Sequence, residues 1–97
     1  MGPEAQGGTL PASVTQGLAE PERRGADLFV SKACFACHAI QSAGGRRGPD
    51  LTHVGSRLNR DQITARIATG GGGMPAFAGS LTPSELDDLT TFLLTRK

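Results

Sequence analysis

"CFACH", residues 34–38, holds both cysteines of this 97-residue chain, Cys34 and Cys37, with His38 directly after them. Three chemistries use such spacing: a disulfide switch, half of a zinc site, and covalent attachment of haem. A structural zinc site takes four ligands, and Cys34, Cys37, His38 and His53 are the set on offer. Adjacent Cys37 and His38 do not easily join Cys34 on one tetrahedron, and the chain has no second paired motif. A thioredoxin-type switch sets its cysteines at a helix start after a strand, and no stretch here alternates long enough to form one. Haem gives every residue of the motif a task. Two thiols on one helical turn reach the two vinyl groups along one porphyrin edge, and His38 then offers its imidazole to the iron.

Composition agrees with a cofactor-built core. The chain has no Trp or Tyr, four Phe, fourteen Gly and six Pro, with 37% hydrophobic residues. A domain this small buries only about 60–65% of its unfolded surface, so it usually recruits a metal, a disulfide or a partner. Two cysteines make no disulfide framework, whereas a large apolar cofactor supplies the missing interior. A net charge of +1 lacks the basic stripe that nucleic acid requires. No apolar run approaches the ~20 residues of a membrane span. No secretory signal opens the chain, so outside the cytoplasm it would be a mature product or an excised domain.

Residues 1–19 are rich in Gly, Pro, Ser, Thr and Ala without periodicity, and read as a flexible leader or tether before a domain over 20–97. The first helix is expected in "EPERRGADLFVSKA", with Pro21 at its first position and Leu28, Phe29 and Ala33 on its apolar side. Gly25 inside it suits the close approach of another backbone. Residues 40–58 show no period and read as a long irregular loop. A second helix follows Asn59, with Gln62 completing a cap and Ile63, Ile67 and Ala68 inward, until Gly70–Gly73 stop it. The last helix opens on Thr82-Pro83-Ser84-Glu85, a capping box, and carries Leu86, Leu89, Phe92 and Leu93 on one stripe. The expected architecture is all-α with long loops.

The second axial ligand has two candidates, Met74 and His53. Met74 stands in "GGGGMPAF", between glycines that admit a flat cofactor and a proline that fixes the chain. It follows His38 by a full helix, which lets it come round to the other face. His53 lies in the same loop as His38 and reads as a surface or propionate-edge histidine. In "GPDL", residues 48–51, the Pro49 carbonyl is free to accept from the His38 ring, the support that metal-bound imidazoles ordinarily have.

CFACH, GPDL and GGGGMPAF, in this order between an early and a final helix, resemble class I cytochrome c over about residues 20–97. The resemblance implies a cytochrome c-like fold of three to four helices with long loops wrapped around one covalent haem c, thioethers from Cys34 and Cys37, axial bonds from His38 and Met74, and Pro49 accepting from the His38 ring. It also implies Gly25 and Phe29 crossing the final helix near Phe92 and Leu93. "GPDLTHVGSR" is similar to cytochrome c domains of respiratory complexes, such as oxidase subunit II or quinol–cytochrome c reductases. Relatives place Trp or Tyr near the haem propionates. This chain has neither, leaving Arg46, Arg47, Arg57 or His53 to compensate.

The function so implied is single-electron transfer, not bond chemistry, because both axial positions belong to the protein. A haem enzyme or gas sensor in which Met74 dissociates is the alternative. Redox partners would meet a monomer at the exposed haem edge, near Ala36, Ala39, Gly70–Gly73 and Met74–Phe77, with Arg46 and Arg47 steering an acidic one. A near-neutral protein would show only modest salt dependence. Covalent haem attachment points to a place outside the cytoplasmic membrane, periplasm or cell surface.

Overall fold

The computed structural model describes residues 10–32, 34–41, 43–71 and 74–97. Ala33, Gly72, Gly73 and residues 1–9 of the expected leader lie outside them. Among the described residues there are three helices of more than one turn, α2 (Glu22–Ser31), α5 (Arg60–Thr69) and α6 (Pro83–Leu94). Three single turns accompany them: α1 (Ala12–Thr15), α3 (Cys34–Cys37) and α4 (Val54–Arg57).

The long helices start where their caps dictate. Asn59 and Thr82 each accept from the backbone of the residue three ahead, and the Gln62 and Glu85 side chains return the bond. Such a box satisfies two amides that the helix itself leaves unpaired. α2 has no side-chain cap; Pro21 stands just before it, one position earlier than the sequence suggests.

α2 lies across α6 at Gly25. A Cβ added there would overlap the Asp88 carbonyl and sit 2.6 Å from Phe92 Cβ, so only glycine lets the helices meet so closely. Phe29, one turn on, packs edge-on against Phe35 of α3 (centroids 6.2 Å apart) and tilted against Phe92 of α6 (6.0 Å). This trio, buried throughout, joins the cysteine turn to both crossing helices. α5 docks on α6 through Thr64 and the fully buried Thr90, whose hydroxyls lie 3.0 Å apart. Arg60 adds bonds to Asp87 and Thr91 at 2.7 and 2.9 Å. Asp88, with its side chain nearly buried, receives the Arg24 Nε–H at 2.9 Å, the pairing that a buried carboxylate requires.

Two expectations are corrected. Residues 10–18 are not a flexible leader: Leu10 and Val14 are buried in the main core cluster, and Ser13 Oγ donates to Gln41 Oε1 at 2.8 Å. Two apolar side chains suffice to hold this strap, and two show no periodicity. The stretch 40–58 is also not wholly irregular. Ala39–Ile40 (β1) pairs antiparallel with Ala43–Gly44 (β2), Ile40 opposite Ala43, and α4 follows. Bonds from more distant parts of the chain hold both. Gln41, with φ +52°, turns the hairpin while its N–H donates to Thr52 Oγ1 at 2.7 Å. α4 rests on the end of α6, Gly55 N–H reaching the Arg96 carbonyl at 2.6 Å.

Candidate functional site

The Cys34–Cys37 turn closes with His38 N–H donating to the Cys34 carbonyl at 2.9 Å. The following loop folds back on it. Gly45 N–H donates to the Phe35 carbonyl (3.0 Å) and Gly48 N–H to the Cys37 carbonyl (2.7 Å). The expected support for His38 is present: Nδ1 lies 2.8 Å from the Pro49 carbonyl. A carbonyl only accepts, so Nδ1 carries the proton and Nε2 keeps its lone pair. The ring fits because residue 48 is glycine, whose added Cβ would overlap it.

Thirty-six residues on, Met74 returns to the same site by a loop tied to the end of α5. Gly70 N–H donates to the Arg66 carbonyl at 2.8 Å, and Gly71 and Met74 exchange backbone bonds at 3.0 Å each way. Phe77 and Ala78 then donate to Ile67 and Ala68 of α5 at 3.0 and 3.2 Å. Gly70 has φ +71°, and an added Cβ would sit 2.5 Å from the Met74 carbonyl. Backbone conformation and space both require glycine there.

These elements line an open cleft with Cys34, His38 and Met74 together with Phe29, Leu51, Val54, Leu58, Ile63, Ile67, Leu89 and Leu93. The wall is apolar with a single permanent charge, Arg66. Burial, with a smaller contribution from neighbouring Cys37, pushes the Cys34 thiol up to about 11, so the sulfur facing the cleft is neutral. A hydrocarbon slot lined by the Cys34 thiol, the His38 imidazole and the Met74 thioether, with Cys37 on the same turn but outside the lining, suits a flat metal-bearing macrocycle.

The other residues singled out lie elsewhere. His53 Nδ1 is 2.9 Å from the Lys97 carbonyl. With Arg57, Gln41, Asp50 and Thr52 it lines a separate polar depression. There Thr52 hydrogen bonds hold the Asp50 carboxyl below its ordinary range, and Arg57 donates to the Asp50 carbonyl at 3.1 Å. The zinc set is therefore not assembled: among the described residues no three of His, Cys, Asp and Glu come together. Neither Arg46, Arg47, Arg57 nor His53 lines the cleft, whereas Arg66, absent from the sequence reading, does. Arg66 is itself exposed, three residues after the buried Ile63 on α5, and the local pattern gives no sign that it meets a cleft.

Residues 20–93 match the family described as cytochrome c oxidase, cbb3-type, subunit III. The cytochrome c6 of Nostoc sp. is 32% identical over 82 residues, which span 79% of this chain and 72% of that protein. Among solved structures, the c-type cytochrome SorU from Sinorhizobium meliloti superposes with a TM-score of 0.66 at 24% identity, over 77% of this chain and 88% of SorU. SoxXA from P. pantotrophus superposes with a TM-score of 0.68 at 25% identity, over 94% and 91%. With the cysteine turn, the Pro49-supported histidine and the glycine-set methionine brought to one apolar cleft, the chain belongs to the class I c-type cytochromes.

Proposed function

We propose that the apolar cleft is where this electron carrier holds its covalent haem c, with Cys34 and Cys37 forming the thioethers and His38 Nε2 and Met74 Sδ the axial bonds. The observation that carries this is the convergence of Cys34, His38 and Met74 on one cleft while the Pro49 carbonyl fixes the His38 ring. When bound, haem c supplies a one-electron ferric/ferrous couple.

The polypeptide sets how that couple behaves. Pro49 holds the proton of His38 on Nδ1 and raises the basicity of Nε2. The Met74 thioether is soft and favours the ferrous state, lifting the potential. Leu89, Leu93, Ile63 and Ile67 keep water away, which further penalises the more charged state. Arg66 is the wall cation placed to answer a propionate. With His38 and Met74 both holding the iron, oxygen and substrates would find no open coordination site, and the chain would transfer electrons without bond chemistry of its own.

In this reading the protein is a monomer working outside the cytoplasmic membrane. It serves as a free carrier or as a domain of a respiratory oxidase or reductase. Partners meet it at the haem edge beside the thioethers, through brief and small interfaces. No helix among the described residues is long and apolar enough to cross a membrane.

The test is intact mass and visible spectrum of protein made alongside the haem-attachment machinery. One haem added irreversibly, and a sulfur-to-iron band lost in Met74→His while the fold persists, is the expected result. A colourless product with two titratable thiols would end the proposal.

A further inference from the structure

We infer that Arg57 and Thr52 are positioning residues for the axial histidine: from outside the cleft they hold the segment whose Pro49 carbonyl fixes the His38 ring. This rests on His38 as an iron ligand, as proposed above. The Pro49 carbonyl lies 2.8 Å from His38 Nδ1, yet burial does not hold it there. Pro49 and Asp50 are both exposed, so water competes for the bond. Proline also has no N–H of its own to anchor. The direction of that carbonyl is therefore set by the peptides on either side of it.

Before it, Gly48 N–H donates to the Cys37 carbonyl at 2.7 Å. After it, the Asp50–Leu51 peptide is gripped at both ends. Its N–H, that of Leu51, donates to the Ala39 carbonyl at 2.8 Å, and its carbonyl, that of Asp50, accepts from Arg57 Nη2 at 3.1 Å. Only the two soft dihedrals of Asp50 then separate the Pro49–Asp50 plane from a fixed neighbour. Asp50 Oδ1 accepts from Thr52 N–H at 2.8 Å, and Thr52 Oγ1 accepts from Gln41 N–H of the hairpin at 2.7 Å. Arg57 supplies what the backbone bonds lack. Cys37 and Ale39's neighbourhood moves with the cysteine turn, whereas Arg57 belongs to α4, which is seated separately. There Val54 is buried, and Gly55 N–H reaches the Arg96 carbonyl past the end of α6. The guanidinium thus ties the support of His38 to the last helix. Its bond is charge-assisted, stronger than a neutral one, as an exposed clamp requires. Opening it would let the Pro49 carbonyl swing, uncover the Nδ1 proton and leave Nε2 less basic.

The test uses the haem-loaded protein and its Arg57→Met and Thr52→Val variants. Arg60→Met is the control, since it removes an arginine bonded to Asp87 and Thr91 of α6 instead. In the ferrous protein, NMR reads how fast the His38 Nδ1 proton exchanges with solvent. Exchange should quicken roughly two- to ten-fold in Arg57→Met and in Thr52→Val, the scale of one lost hydrogen bond, and match wild type in Arg60→Met. The midpoint potential separates support from charge. Thr52→Val alters no charge, so its potential should rise as the imidazole becomes less basic. Removing a cation alone would lower the potential and leave the proton as slow as before. That pattern in Arg57→Met would overturn the inference, because the arginine would then act on the iron only through its charge. Equal acceleration in Arg60→Met would overturn it too, as general loosening of the fold. A colourless wild type would instead refute the haem placement, and the positioning role with it.

Discussion

Replacing Gly48 by alanine tests the histidine support directly. The new Cβ would lie 2.7 Å from His38 Nδ1 and 2.9 Å from Nε2, where ordinary contacts begin near 3.4 Å. Gly48 has a backbone conformation open to any residue, so the effect is steric alone. The ring or the Gly48–Pro49 carbonyl segment must move by more than half an ångström, which breaks the 2.8 Å bond to Pro49. Overpacking costs about 1–3 kcal/mol and the lost bond about 0.5–1.5, so the expected destabilisation is roughly 2–4 kcal/mol. A less basic imidazole also stabilises ferric iron less. If the bond differs by about 0.5–1 kcal/mol between oxidation states, the potential rises by ~20–40 mV, at about 59 mV per tenfold. Urea unfolding of both oxidation states and potentiometry read the two effects. Gly79→Ala is the control, because nothing lies within 4 Å of its added Cβ. A Gly48→Ala protein as stable as that control, with unchanged potential, would refute the reasoning.

Gly25→Ala should force α2 and α6 apart, since its Cβ meets backbone that cannot yield. A loss of about 2–3 kcal/mol, or ~10–20 °C in Tm for a domain of this size, is expected by calorimetry. Val14→Ala removes buried methyls from the strap and should cost roughly 1.5–3 kcal/mol in denaturant; a flexible leader would show none. In the haem-free chain, alkylation of Cys34 should rise as pH passes through about 11, well above an ordinary thiol near ~8.5. Peptide mass spectrometry after iodoacetamide at stepped pH reads this. The unfolded chain releases that proton first, so haem-free stability should be unaffected below ~8.5 and fall as pH climbs from there to about 11.

Much of the site was legible because its chemistry needs particular residue types at fixed spacing. CFACH, Pro49 and Met74 could be read off the chain, and the capping boxes at Asn59 and Thr82 located two helices to the residue. Gly25 was legible as a place of close approach, though its neighbour had to come from resemblance. What escaped notice lacked a pattern. Leu10 and Val14 are two apolar residues among Gly, Pro, Ser and Thr, too few to make a period, yet the core closes over them. α4 spans four residues, shorter than any periodic signal, and is held by the end of α6. Arg66 is an exposed helix charge by local pattern, and only the return of the Met74 loop makes its side of α5 a cleft wall. Long-range closure decides such positions, and no local window contains it.

The loop bearing Met74 has one further consequence for electron transfer. Backbone bonds from Gly70, Gly71, Met74, Phe77 and Ala78 tie the described parts of this loop to α5 and to itself, so the Met74 main chain cannot shift without several of them opening together. With Met74 holding the iron as proposed, a ligand on so firmly tied a main chain would change its bond length little when the iron gains or loses charge. The nuclear rearrangement accompanying each electron is then small, and self-exchange between oxidised and reduced molecules should be fast.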